Sequence, residues 1–146
     1  MAPFILLIGS FLTFRLLGFF GLSYLDGWET SLRFAVALMF LFTAAAHWGK
    51  RRPDLIKMVP PALPKQGLIV TITGIFEIFS AIGLLIPITS SIASFGLAFL
   101  LIVMFPANIR AARKGINIGG KPSTPIFPRT ILQIIFFTAV IFAGLQ

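Results

Sequence analysis

Glu77 and His47 are the side chains of this sequence best suited to acid–base chemistry or ligand binding in an apolar environment, and they are the candidates for any catalytic role. Glu77 lies in the middle of the apolar segment 67–86, where a charged side chain costs about 2.5–3.5 kcal/mol on insertion into a membrane. The aliphatic and phenyl side chains of that segment offset this cost. Two interpretations of Glu77 stay open: a carboxyl that holds helices together, and a proton or ligand site.

Arg15 is a candidate ion-pair partner for Glu77. At 1.5 Å per residue, Arg15 lies about 20 Å from the inner end of its apolar segment, and Glu77 lies about 15 Å from the inner end of its own. A long guanidinium side chain can span that difference in depth. The alternative is that Arg15 extends outward, past Ser23, to the membrane surface.

His47 is the single histidine of a chain that has no cysteine. It follows Thr43 by one helical turn at the end of an apolar segment. This position is typical of a structural histidine at a membrane interface, and a ligand or proton-transfer role is the alternative. A metal would have to be held by His47 and Glu77 alone, which are too few ligands for a stable site. We therefore expect no metal, haem or iron–sulfur centre, and thiol chemistry is excluded.

Three further polar residues are predicted to lie near this pair. Asn108 follows the fourth apolar segment of the chain, and Arg129 and Gln133 lie one turn apart at the start of the fifth. The five residues His47, Glu77, Asn108, Arg129 and Gln133 are predicted to line a polar pocket that opens to the cytoplasm. Helix caps and interhelical hydrogen bonds are the alternative role for the same side chains.

The composition places these residues in an integral membrane protein. Of the 146 residues, 58% are hydrophobic and 11% are charged, whereas roughly a quarter of the residues in a soluble domain are charged. This balance excludes disulfide scaffolds, disordered chains and zinc modules. Nucleic acid is not an expected partner, because the basic residues lie between apolar runs rather than on a polar face.

Five apolar segments are long enough to cross the hydrocarbon layer of a bilayer, which is roughly 30 Å thick, as helices. They are residues 2–23, 31–48, 67–86, 89–105 and 130–145. No Lys or Arg precedes the first segment, so it is predicted to be a retained span rather than a signal peptide. The predicted fold class is therefore all-α, a polytopic membrane helix bundle.

The loops predict the orientation of these helices. Loops 49–66 and 106–128 carry five and four of the 12 basic residues, and cytoplasmic loops are the ones enriched in Lys and Arg. The N-terminus is therefore predicted to lie inside and the C-terminus outside. The basic loops are expected to contact anionic lipid headgroups or, alternatively, a partner protein. Residues 53–59 are predicted to form a short helix at the membrane surface.

Several short motifs, in their order and spacing, resemble the DoxX-like family of small bacterial membrane proteins. The motifs are FTAAAHW at 42–48, RPD at 52–54, MVPPALP at 58–64, TGIFE at 73–77, IGLLIP at 82–87 and MFPAN at 104–108, and Arg129 and Gln133 fit the last helix of that family. The resemblance implies a four-helix core, residues 31–146, after an additional N-terminal helix, residues 2–23, in a single membrane domain, residues 1–146. It also implies a multi-pass protein of the bacterial cytoplasmic (inner) membrane.

The functional role that the resemblance implies is an accessory subunit of a membrane redox complex. Relatives include a small membrane subunit of thiosulfate:quinone oxidoreductases. A redox partner would dock on the basic loops, and a quinone would bind between helices near Glu77 and His47, since the chain has no cofactor site of its own.

Two other functions stay open. One is a non-catalytic chaperone or scaffold, the role of a distant animal relative of the family, and the other is a binder of a small hydrophobic molecule within the bundle. The sequence contains no self-contained catalytic constellation, so we do not expect an enzyme that acts alone. Association with further copies of the chain is a further open possibility.

Overall fold

The computed structural model describes residues 1–145, and six α-helices account for most of them. The helices are α1 (Ala2–Phe19), α2 (Trp28–Ala45), α3 (Arg52–Met58), α4 (Gln66–Leu85), α5 (Ser90–Lys114) and α6 (Ile126–Gly144). A 3₁₀ turn, Ser23–Leu25, precedes α2, and strands β1 (Asn117–Ile118) and β2 (Lys121–Pro122) form a small antiparallel hairpin. Gln146, the last residue of the predicted domain, lies outside the described residues.

All helices except α3 are long and apolar enough to cross a membrane, which confirms that the chain is a helical multi-pass membrane protein. The helix ends differ from the predicted segments. The first span ends earlier, at Phe19, while α5 continues to Lys114 and α6 begins at Ile126. Hydropathy marks where a helix leaves the hydrocarbon, whereas its backbone hydrogen bonds continue through the polar residues that follow. The short helix predicted for residues 53–59 is confirmed as α3.

Four helices form a closed ring, in which α2 contacts α4, α4 contacts α5, α5 contacts α6 and α6 contacts α2, while α1 packs on α2 outside this ring. Fully buried side chains such as Met39, Leu84 and Leu97 fill its centre. Large apolar side chains such as Phe79 and Ile92 are exposed on its outer faces. Exposed apolar outer faces are the pattern of helices that contact lipid.

The ring has two different ends, which we call the turn end and the hairpin end. The turn end consists of the α4–α5 connection, residues 86–89, together with the end of α6. The hairpin end consists of α3, β1, β2 and the two basic loops that carry them. The backbone N–H of Gly119 donates to Oδ2 of Asp54 at 3.0 Å, and Nε of Arg110 donates to the carbonyl oxygen of Lys57 at 3.3 Å. Both basic loops therefore lie at the same end of the bundle.

Candidate functional site

Glu77 and His47 form a buried pair between α2 and α4. Nε2 of His47 lies 3.1 Å from Oε2 of Glu77, and both side chains are about 95% buried. Glu77 lies in the middle of α4, and His47 lies two residues beyond the end of α2. Gly74 makes the contact possible, because a Cβ at that position would lie 2.8 Å from the His47 ring. The glycine thus lets the imidazole lie directly against α4.

A second contact determines which nitrogen of His47 faces Glu77. Nδ1 lies 2.7 Å from the carbonyl oxygen of Val70, and a carbonyl oxygen only accepts hydrogen bonds, so Nδ1 carries a proton. Nε2 is the remaining nitrogen, and it attracts Oε2 of Glu77 when one of the two groups holds a proton. The pair is then either imidazolium with carboxylate or neutral imidazole with carboxylic acid. It has no net charge in either form.

The two carboxyl oxygens of Glu77 have different surroundings. Oε1 accepts a hydrogen bond from the hydroxyl of Thr43, one turn before His47. Oε2 faces Nε2 of His47 at 3.1 Å and makes no other polar contact among the described residues. Each oxygen therefore has its neighbour on α2 or just after it.

Glu77 also lines a cavity of about 530 Å³ inside the helix ring. The body of the cavity is apolar and is built mainly by α2, α5 and α6, with side chains such as Phe40, Leu100, Met104 and Phe136. The first residues of α1 and the residues of the hairpin and just after it line the cavity at the hairpin end. Glu77 is the eleventh residue after the start of α4, so it lies about 16 Å along that helix from the hairpin end. The carboxyl is therefore at the deep end of the cavity.

Asn108, Arg129 and Gln133 line the same cavity as Glu77, so the structure brings these four predicted residues together. Nη1 of Arg129 donates to Oδ1 of Asn108 at 3.0 Å, and Nε2 of Gln133 donates to the carbonyl oxygen of Leu101 at 2.7 Å. Both hydrogen bonds join α5 to α6. The pocket interpretation and the interhelical interpretation therefore describe the same side chains. The ring of His47 lies behind Glu77 and does not line the cavity.

The predicted pair between Arg15 and Glu77 is not formed, and His47 is the titratable neighbour of Glu77 instead. The guanidinium of Arg15 instead donates to the carbonyl oxygen of Asp26, in the connection between α1 and α2. The side chain of Arg15 therefore extends outward, which was the alternative prediction for this residue. The physical reason is local: a guanidinium near the end of a helix reaches the free backbone carbonyls of the next turn at once. Reaching Glu77 would require it to cross α2.

Two arginines of the site were not singled out from the sequence. Nη1 of Arg52 donates to the carbonyl oxygen of His47 at 2.8 Å, and Nη2 donates to the carbonyl oxygen of Gly67 at 3.0 Å and to Oγ1 of Thr71 at 2.9 Å. Arg52 thereby holds the residues after α2 against the start of α4 and fixes the position of His47. Arg51, its neighbour, lines the cavity at the hairpin end. The sequence signal for Arg51 was membership of a basic loop, and Arg52 was in addition part of the RPD motif at 52–54.

A family model described as a domain of unknown function (DUF8561) matches residues 36–143. The chain belongs to this family. The matched range begins within α2 and ends within α6, so it includes His47, Glu77 and most of the cavity but not α1. No curated protein and no solved structure matches the chain.

Proposed function

We propose that this protein binds a small hydrophobic molecule with a polar group in the cavity between its membrane helices. The observation that carries the proposal is the buried carboxyl of Glu77, which is part of the lining of a largely apolar cavity of about 530 Å³. Ligand-binding cavities usually measure about 300–1,000 Å³ and combine an apolar lining with a few polar groups.

A quinone-linked role is the second candidate, and the buried Glu77–His47 pair favours it. A carboxyl and an imidazole in contact can hold one proton or release it, and a reduced quinone has hydroxyl groups that exchange protons with such a pair. The resemblance to the DoxX-like family supports the same role. In this version the protein is an accessory subunit, and a redox enzyme docks on the basic loops at the hairpin end.

The first test is to identify what stays bound after extraction into a mild nonionic detergent. Native mass spectrometry should detect the protein with one small molecule, whose mass and absorbance show whether it is a quinone. Met104→Trp places a large ring in the cavity and should reduce the bound fraction at least tenfold. Val103→Trp is the matched control, because Val103 is exposed on the same helix and does not line the cavity.

Three results would contradict the proposal. The wild-type protein could carry no small molecule, or Met104→Trp could retain as much of it as Val103→Trp. A protein partner that co-purifies without any small molecule would instead support the chaperone or scaffold interpretation. Each result is read from the same mass spectra.

We also place the protein in the bacterial cytoplasmic membrane with its N-terminus inside. The support is that both basic loops lie at one end of the bundle and that Lys and Arg are enriched in cytoplasmic loops. Because the chain has no cysteine, single cysteines can be introduced without background. A membrane-impermeant maleimide should label Ile88→Cys at the turn end in intact cells. It should label Lys114→Cys only after the cells are opened, and the reverse pattern would invert the orientation.

A further inference from the structure

Three basic side chains surround the cavity at the hairpin end. Arg51 precedes α3, Lys121 begins β2, and Arg129 lies in the first turn of α6. Among the described residues that line the cavity, Glu77 is the one acid, and it lies at the opposite, deep end. The cavity therefore has a cationic mouth and an apolar body.

The hydrogen-bond partners of Arg129 are neutral. Arg129 donates to Oδ1 of Asn108 and, at 3.3 Å, to the carbonyl oxygen of Thr124. Arg51 lies against the turn of the hairpin, where a Cβ on Gly119 would come within 3.1 Å of its Nε. The hairpin thus positions Arg51 next to the strand that carries Lys121. Arginine binds phosphate and carboxylate groups through paired N–H donors, so this arrangement suits an anionic headgroup.

The apolar body of the cavity indicates the chemistry of the rest of the ligand. Phe40, Leu100, Met104, Leu132 and Phe136 line the space between the mouth and Glu77. A free phosphate ion would occupy the mouth and leave this space empty. A cavity of about 530 Å³ is of the size that holds one drug-sized molecule, which corresponds to a single apolar chain.

We propose that the ligand is a single-chain anionic amphiphile whose phosphate or carboxylate headgroup lies between Arg51, Lys121 and Arg129 and whose chain extends towards Glu77. This inference rests on the proposed function, because it specifies the chemistry of the molecule that the same cavity binds. The headgroup stays at the membrane surface, where the cations are, and the chain enters between the helices. The ligand class is thus defined by charge at one end and apolar surface at the other.

The test compares three probes on lipid-depleted protein in a nonionic detergent, with native mass spectrometry as the readout. The probes are oleoyl lysophosphatidic acid, the uncharged monoolein with the same acyl chain, and inorganic phosphate. We expect the lysophosphatidic acid to bind with an apparent Kd at least tenfold lower than that of monoolein. Inorganic phosphate should neither form a stable complex nor displace the lipid at the same concentration.

Variants then locate the headgroup. The double variant Arg51→Gln/Lys121→Gln should bind lysophosphatidic acid no more tightly than monoolein, while its affinity for monoolein stays as in the wild type, which also shows that the variant is folded. The matched control is Arg113→Gln/Lys114→Gln, which removes the same charge from exposed positions at the end of α5 that do not line the cavity. The control should keep the tenfold preference.

The possible outcomes separate the two proposals. If the two lipids bind equally well, the anionic inference is wrong and the proposed function stands. If the control variant loses the preference as fully as the cavity variant, general surface attraction explains the binding and the inference is also wrong. Binding of phosphate alone with the affinity of the lipid would replace the amphiphile with a free anion. Failure of both lipids to bind, together with the absence of any co-purified small molecule, would remove the proposed function itself.

Discussion

The two ends of the α5–α6 helix pair are held together in opposite ways. At the turn end, Oγ of Ser94 donates to the carbonyl oxygen of Val140 at 2.7 Å, and Oγ of Ser91 donates to that of Gly144 at 2.8 Å. At the hairpin end, the long side chains of Arg129 and Gln133 make the equivalent connections. Short side chains bring membrane helices into close contact, whereas long ones join helices that stand apart. The length of the bridging side chains therefore determines where the cavity can exist.

Among the substitutions that test this difference between the two ends, Gly144→Ala should lower the stability of the protein most. A Cβ at this position would lie 2.1 Å from Cβ of Ser94, so Gly144→Ala forces α5 and α6 apart at their closest approach. We expect a loss of about 3 kcal/mol in the free energy of unfolding, measured by thermal or denaturant unfolding in detergent. Gly9→Ala in α1 is the control, because a Cβ there has no neighbour within 4 Å. Equal stability of the two variants would show that the turn end is not closely packed.

Glu77 lies between the closely packed part of the bundle and the cavity. Its substitution should have the next largest effect on stability. Glu77→Ala leaves Nε2 of His47 without its partner, while the hydroxyl of Thr43 can still donate to the carbonyl oxygen of Phe40. The loss should lower the free energy of unfolding by about 2 kcal/mol. Glu77→Gln should stay within about 0.5 kcal/mol of the wild type, because its amide can donate to Nε2 and accept from Thr43. If Glu77→Gln is as unstable as Glu77→Ala, the pair is held together as imidazolium and carboxylate.

Loss of one serine hydroxyl should have a smaller effect, and it should differ between the two ends. Ser94→Ala removes a buried interhelical hydrogen bond and should cost about 0.6 kcal/mol, the average for such bonds within membranes. Ser123→Ala removes a hydrogen bond to the carbonyl oxygen of Ala111 at the hairpin end, and that carbonyl keeps a hydrogen bond from the backbone N–H of Ile116. Paired unfolding measurements should therefore show a smaller cost for Ser123→Ala, and the reverse order would contradict the contrast between the ends.

Asp54→Ala should have the smallest effect on stability. The carboxylate accepts a hydrogen bond from the backbone of Gly119 in the hairpin, and both groups lie near the surface. We expect a change within about 0.5 kcal/mol in global stability but faster hydrogen exchange of the amides in residues 117–122. Asp54→Asn keeps an oxygen acceptor and should exchange more slowly than Asp54→Ala. Unchanged exchange in Asp54→Ala would show that this bond does not hold the hairpin over the cavity.

Much of the fold could be predicted because the bilayer imposes a simple rule on the sequence. Each span needs a long apolar run, so the five long helices could be located from hydropathy. The predicted helix ends were less accurate, and the largest error was nine residues, because α5 continues beyond residue 105 to Lys114. The grouping of Glu77 with Asn108, Arg129 and Gln133 followed from the predicted orientation of the helices, which places the last three at the cytoplasmic end and Glu77 further along its own helix. The DoxX-like resemblance and the redox role that it implies stay predictions.

Other features could not be read from the sequence because they depend on how the helices are rotated against each other. From their depths along the helices, Arg15 was predicted to be able to reach Glu77. In the structure α2 lies between the two residues, and the carbonyl oxygen of Asp26 is a nearer acceptor for Arg15. His47 could be assigned to the interface, but its contact with Glu77 requires the close approach that Gly74 permits. The role of Arg52 depends on three oxygens from separate parts of the chain.

The sequence by itself determined that this chain has several apolar segments long enough to cross a membrane, that nine of its 12 basic residues are gathered in two loops, and that one acid lies deep within an apolar helix. These properties are local, because insertion into a bilayer depends on the composition of each segment in turn. Only the tertiary structure decided that the acid pairs with His47, that Thr43 donates to its other oxygen, and that Glu77 lines a cavity with a cationic mouth. Those properties depend on the distances between helices. The sizes of all the side chains at the helix contacts together determine these distances.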